Sequence, residues 1–146
     1  MTSGDAAVPL GTLDDILGLH IRRAHGAVQR HFTERFASLG LTQKQVSVLW
    51  LAGDHPDIAQ TDLARTLDID RATTMAIVHA LEKKRLLERG RSPGDARRVA
   101  LRLTDAGRAV LAEAKAAIAE HESWLKSRFT ADEVESLVGF LRRIHG

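Results

Sequence analysis

The sequence predicts a mostly helical chain whose strands are confined to one β-hairpin. Three observations predict it. Apolar residues recur at helical spacing over most of the 146 positions. The apolar period shortens to two between Leu87 and Leu103. Just before that stretch, a short helix, a tight turn and a longer helix follow one another.

Taken in order, Leu13, Ile16, Leu17, Ala24, Ala27, Val28, Phe32 and Phe36 predict one long amphipathic helix over residues 10–39, ended by Gly40. At ~1.5 Å per residue it spans about 45 Å, more than a domain of this size needs for its own core. Thr42 and Gln45 have the spacing of a capping box, so a second helix starts there, with Val46, Leu49 and Trp50 inward. Gly53 and Pro56 are expected to stop it. Thr61 is the expected N-cap of a short third helix through Leu67. Asp70 caps a fourth, running to about Arg85, with Ile77, Val78 and Leu81 inward. Leu87 and Arg89 mark a strand, Arg91 to Asp95 reverse the chain, and Val99, Leu101 and Leu103 mark the returning strand. Thr104 opens another long helix. Its Val110, Leu111, Ala114, Ala117, Ile118, His121, Trp124 and Leu125 lie near a heptad seam. A capping box at Thr130 and Glu133 starts the last helix, made amphipathic by Val134, Leu137, Val138, Leu141 and Ile144.

Composition narrows the class. Hydrophobic residues make up 44% and charged residues 27%, the range of a folded globular domain. One domain over residues 1–146 is expected. No run of about 18 apolar residues exists, so no membrane span is expected. Residues 1–9 lack the pattern of a signal peptide, and the chain has no Cys, which fits the cytoplasm. The net charge is +2, unevenly spread: residues 83–102 hold eight basic and two acidic side chains, a local +6, which leaves −4 elsewhere. Such a cluster is the footprint of a polyanion binder.

The chemistry concentrates between Thr61 and Thr104. The two short helices form a helix-turn-helix, with Ala64 small at their crossing and Asp68 at the turn. The second helix begins Asp70-Arg71-Ala72-Thr73, and in such motifs its first turns enter the major groove. The expected DNA-facing positions on the two helices are Thr61, Arg71, Ala72, Thr73, Met75 and Ala76. The hairpin tip adds Arg91, Ser92, Arg97 and Arg98, read as a wing in the adjoining minor groove. Asp95 is expected to orient the Arg97 guanidinium. This is a winged helix-turn-helix with a two-stranded β-wing over residues 42–103, flanked by dimerisation helices over 10–39 and 104–146.

The run Leu63-Ala64, Asp70-Arg71-Ala72-Thr73, Leu81-Glu82-Lys83-Lys84, Leu87-Glu88-Arg89, Asp95-Ala96-Arg97-Arg98 and Leu103-Thr104-Asp105-Ala106-Gly107 resembles the MarR family of bacterial transcription regulators. The resemblance spans essentially the whole chain. It implies a homodimer, a pseudo-palindromic operator on double-stranded DNA, and relief of repression by a small anionic aromatic ligand. Three positions depart from the pattern: Arg85 stands where the family commonly has Gly, and Met75 and Ala76 where it has polar or basic residues. The absent Cys argues against the peroxide-sensing branch. Leu17 to His25, Thr42 to Gln45, Leu49-Trp50 and Arg71 to Val78 look more narrowly like the branch that responds to hydroxycinnamoyl-CoA thioesters, which implies an aromatic acyl-CoA effector.

A crevice between the long helices and the winged region is where such an effector is expected, lined by His20, Arg23, Ala24 and Val28 on the first helix and Val46 and Trp50 on the second. His20 and His31 also read as satisfied core or interface residues, and Trp50 first as core. No two of the seven His residues lie four apart, so no metal is expected, and no cofactor. No Gly-rich phosphate loop, nucleophile elbow or paired catalytic carboxylates are present, so an enzyme is not expected. The alternative is an architectural or protein-interacting DNA binder with no effector, and the crevice is the feature that separates the two readings.

Overall fold

The computed structural model describes residues 7–146. A 3-10 turn, Gly11–Asp15, precedes α1 (Leu17–Phe36), and a second, Ala37–Leu39, follows it. Then come α2 (Gln43–Asp54), β1 (Ile58–Ala59), α3 (Gln60–Leu67), α4 (Arg71–Lys83), β2 (Leu87–Ser92), β3 (Asp95–Leu103), α5 (Asp105–Lys126) and α6 (Ala131–His145). The mostly helical winged helix-turn-helix expected from the sequence is the fold observed.

Helix starts follow local chemistry. The Thr42–Gln45 and Thr130–Glu133 capping boxes are both formed, each partner bonding the other's backbone N–H. Thr104 accepts from Gly107 N at 2.9 Å, capping α5. Gly107 is also required by packing: a Cβ there would sit 2.1 Å from the Leu86 carbonyl oxygen.

Four expectations are corrected. The segment 10–39 is not one helix: Ile16 is extended, at φ −87° and ψ 107°, between the first 3-10 turn and α1. Gly11, Asp14 and Asp15 all disfavour helix interior, which accounts for the break. Gly53 does not stop α2 but lies within it. A Cβ there would come 2.8 Å from Leu111 Cδ2, so Gly53 lets α5 approach. Thr61 is not the cap of α3, because Ala59 holds that position. The strands are not confined to the hairpin: β1 pairs antiparallel with the root of β3, Ile58 opposite Leu101 and Ala59 opposite Ala100, giving the order β1-β3-β2 beside the two-stranded wing. A two-residue strand has no alternation to read.

The core gathers around α2. Phe36, Leu49, Leu63, Leu81 and Leu101 are essentially sealed from solvent, joining α1, α2, α3, α4 and β3. Truncating any of these leucines to Ala is expected to cost about 2–5 kcal/mol. The ends of the chain behave differently. No residue of α6 is buried, and Leu137, Phe140, Leu141 and Ile144 are exposed along it. Leu13, Ile16 and Leu17 are likewise exposed near the N-terminus. Among the described residues, no helix is long and apolar enough to cross a membrane.

Candidate nucleic-acid interface and effector crevice

Helix α3 turns into α4 through Asp68, held left-handed at φ 53° and ψ 47°. Ile69 N donates to Ala64 O at 3.0 Å, closing the turn, and Leu63 and Ala64 are buried beneath it. Asp70 then caps α4. Its Oδ1 accepts from Thr73 N at 2.8 Å and its Oδ2 accepts from Thr73 Oγ1 at 2.7 Å. These hydrogen bonds hold the Asp70 carboxyl below the usual carboxylate range. Thr73, read as a DNA-facing residue, therefore has its hydroxyl proton committed to the cap. Thr74 is buried, bonding Asp70 O at 2.9 Å. Arg71, Ala72, Met75 and Ala76 lie exposed on the outer side of α4, with Thr61 exposed on α3. His79 continues the exposed stripe one turn beyond Met75 and Ala76. Its place, three and four residues on, was available in the sequence.

In the wing, β2 and β3 are joined by Pro93 and Gly94, with Ser92 opposite Asp95 and a register shift at Arg91. Asp95 does not orient the Arg97 guanidinium. Its Oδ1 accepts from the Arg97 backbone N at 2.9 Å and so shapes the tip. The basic residues divide by partner. Arg98 Nη2 reaches Asp62 Oδ2 on α3 at 2.8 Å, Arg89 Nε reaches Glu82 Oε1 on α4 at 2.6 Å, and Arg102 pairs with Asp57. The Arg102 hydrogen bond holds the Asp57 carboxyl low, and Asp57 in turn raises Arg102. Lys84 Nζ donates to Gly40 O at 2.6 Å. Arg71, Arg91 and Arg97 have no ion-pair partner among the described residues, which leaves their charge for a polyanion.

A crevice of about 410 Å³ opens where α1, α2 and α5 meet the end of α3. Val28 and Phe32 line it from α1, Val46 and Trp50 from α2, and Ile118 and His121 from α5. His20, Arg23 and Ala24, expected on the same wall, are not among its lining. His20 stands eight residues before Val28, about 12 Å along the helix. Its Nε2 is 2.6 Å from Asp14 O. All three are exposed. His121, read only as part of the α5 seam, is one of the wall residues that sequence reasoning missed, with Phe32 and Ile118. Its Nδ1 lies 2.7 Å from His31 Nδ1, and His31 stacks on Trp124 at 3.9 Å between ring centres. Burial, and secondarily His31, push the His121 pKa below the usual histidine range. A larger hollow of about 580 Å³ lies between α2, the sheet and α5, but its walls mix Asp54 and Glu88 with Arg102 and Arg108. Among the described residues, no group of three His, Asp or Glu is placed to hold a metal ion.

A tight-turn helix pair, a capped second helix and an adjoining basic β-ribbon define a winged helix-turn-helix, a DNA-binding fold. The sequence profile of the MarR family matches residues 39–98. A Thauera aromatica protein assigned as transcriptional regulator of the hcr operon is 31% identical over 136 residues, 92% of this chain and 82% of its own. The repressor CouR bound to a 23-mer DNA duplex superposes with a TM-score of 0.89 at 38% identity, covering 97% of this chain and all of that one. CouR bound to p-coumaroyl-CoA gives 0.85 at 37% identity, covering 95% of this chain and 98% of that one. The chain belongs to the MarR family.

Proposed function

We propose that this protein is a dimeric, cytoplasmic transcriptional repressor that leaves a pseudo-palindromic operator when a small aromatic acid or aromatic acyl-CoA binds the α1–α2–α5 crevice. The observation that carries this reading is the crevice itself. It is bounded by Trp50 and apolar neighbours and touches Thr66 and Leu67 at the end of α3, next to the recognition helix. CouR, at 37–38% identity, has been solved both with DNA and with p-coumaroyl-CoA, which supports the same pair of partners here.

In this reading Arg71, Ala72, Met75 and Ala76 face the major groove, with Thr61 and the hydroxyl oxygen of Thr73 beside them. Arg91, Ser92, Arg97 and Arg98 follow the wing into the minor groove. The exposed apolar stripe of α6, with Leu13, Ile16 and Leu17, meets the same surface of a second copy and buries on the order of 2,000 Å². Two recognition helices then fall about 34–36 Å apart, one DNA turn. A ligand wedged between α1, α2 and α5 changes the angle at which each winged region hangs from the dimer. Both half-sites are misplaced together, and by linkage DNA weakens ligand binding by the same factor.

The test combines light scattering with fluorescence anisotropy of a labelled operator duplex. The expected result is twice the 16.0 kDa chain mass, together with release of the duplex by p-coumaroyl-CoA or an aromatic acid. A 16.0 kDa particle at micromolar concentration overturns the dimer. Duplex binding indifferent to every such compound favours the effector-independent architectural binder instead.

A further inference from the structure

The wing and the recognition helix carry different kinds of chemistry. Arg91 and Arg97 at the wing attract any duplex, because every sequence carries the same phosphates and the minor groove distinguishes few base pairs. Discrimination among base pairs falls to the outer face of α4. That face is poor in hydrogen-bonding groups. Thr74 is buried and bonds Asp70 O at 2.9 Å, and the Thr73 hydroxyl gives its proton to Asp70 Oδ2 at 2.7 Å. Arg71 stands exposed at the start of the helix and His79 further along it. Between them lie Ala72, Met75 and Ala76, all exposed, Met75 at 45%. Positions three and four apart are neighbours on a helix, so these three make one apolar patch about 6 Å long.

Pressed into the major groove, the patch meets base edges. Over a G·C pair it covers polar donors and acceptors, strips their water and returns no hydrogen bond, which costs affinity. The apolar group on a base edge in that groove is the thymine C5-methyl. Neighbouring base pairs rise about 3.4 Å, so a patch of this length covers two of them. Met75 is unbranched and adaptable, and its thioether side chain can follow a methyl on either strand.

Resting on α4 as the helix that enters the major groove, we infer that Ala72, Met75 and Ala76 recognise thymine by its C5-methyl group. Each half-site of the DNA this protein selects then holds neighbouring A·T pairs beneath the patch. The specificity comes from apolar contact and from the penalty on G·C pairs, while the wing supplies attraction common to all sequences.

Selection from a random-sequence duplex library with the full-length protein, followed by fluorescence anisotropy of the selected duplex, tests this. The half-sites should carry neighbouring thymines. Replacing each by uracil, which lacks only the methyl, should weaken binding about four-fold, the worth of burying one methyl-sized group. That methyl lies in the major groove and the wing reads the minor one, so the loss belongs to α4. Met75→Gln, at an exposed side chain, should weaken binding of the thymine duplex and abolish the uracil effect at one position. Half-sites selected without thymine, or uracil duplexes bound as tightly as thymine ones, overturn the methyl recognition and leave α4 as a DNA-binding helix. A full uracil effect in the variant overturns the part given to Met75. A library from which no sequence is enriched overturns α4 as the reading helix, and this inference with it.

Discussion

His31 and His121 meet nitrogen to nitrogen, Nδ1 to Nδ1 at 2.7 Å, joining α1 to α5 at the wall of the crevice. One ring donates and the other accepts, so at least one must be neutral. Burial and His31 hold His121 below the ordinary histidine value, with Arg35 acting in the same direction and Glu122 opposing. A lowered folded pKa means that the unfolded chain takes up the proton first. Stability from this pair is therefore complete above the unfolded value, about 6.5, and is lost as pH falls through the lower folded value. Thermal unfolding from pH 8 to pH 5 should show the midpoint dropping below about pH 6.5, and His121→Gln should flatten that drop. A variant profile parallel to the wild type would remove the histidine pair as its cause.

The wing arginines should differ. Arg97 has no ion-pair partner among the described residues, while Arg98 is paired with Asp62 at 2.8 Å. Arg97→Ala is expected to weaken DNA binding on all sequences alike and to lower the salt slope by about one. Arg98→Ala should cost less, since its charge is already shared with Asp62. Anisotropy titrations at several salt concentrations decide this, and equal losses for the two variants would contradict it.

Gly107 sets the approach of α5 to the turn between α4 and β2. Ala is favoured over Gly inside helices by about 1 kcal/mol. Against this, its methyl would fall 2.1 Å from the Leu86 carbonyl oxygen, too close without moving backbone. Overpacking of this kind costs about 1–3 kcal/mol, so Gly107→Ala should be net destabilising. A urea midpoint equal to or above wild type would show that the turn at Leu86 yields freely.

Arg85 occupies a left-handed conformation, φ 59°, directly after the recognition helix. For a residue with a Cβ this costs about 1–2 kcal/mol. Glycine removes that cost but returns about 0.4–1 kcal/mol of unfolded-chain entropy. Arg85→Gly is therefore expected to stabilise by about 0.5–1 kcal/mol in denaturant unfolding. A loss of stability would mean that the arginine stem contributes packing worth more than the strain.

Much of the fold was legible because its signals act over three or four residues. The Thr42–Gln45 and Thr130–Glu133 boxes, the Asp70 and Thr104 caps and the Pro93-Gly94 turn each bond to near neighbours in the chain. Their types and spacing carry their geometry. The exposed positions of α4 and the basic wing followed from the same periodicities, and the family resemblance joined them into one reading.

What the sequence by itself determined, then, was the order of helices, the capped starts of α2, α4, α5 and α6, the hairpin and the place of the basic cluster. Only tertiary structure decided the rest. Strand β1 exists because β3 offers Ala100 and Leu101 as partners, and Gly53 is needed because Leu111 crosses there. The crevice walls depended on where α1 and α5 meet, and His31 and His121 are 90 positions apart. Asp95 could have served its neighbour's guanidinium or its backbone with the same spacing, and Arg98 was claimed by Asp62, 36 positions away. Local hydrogen bonds are written in adjacent residues. Contacts between distant elements depend on crossing distances and angles that no short window of sequence contains.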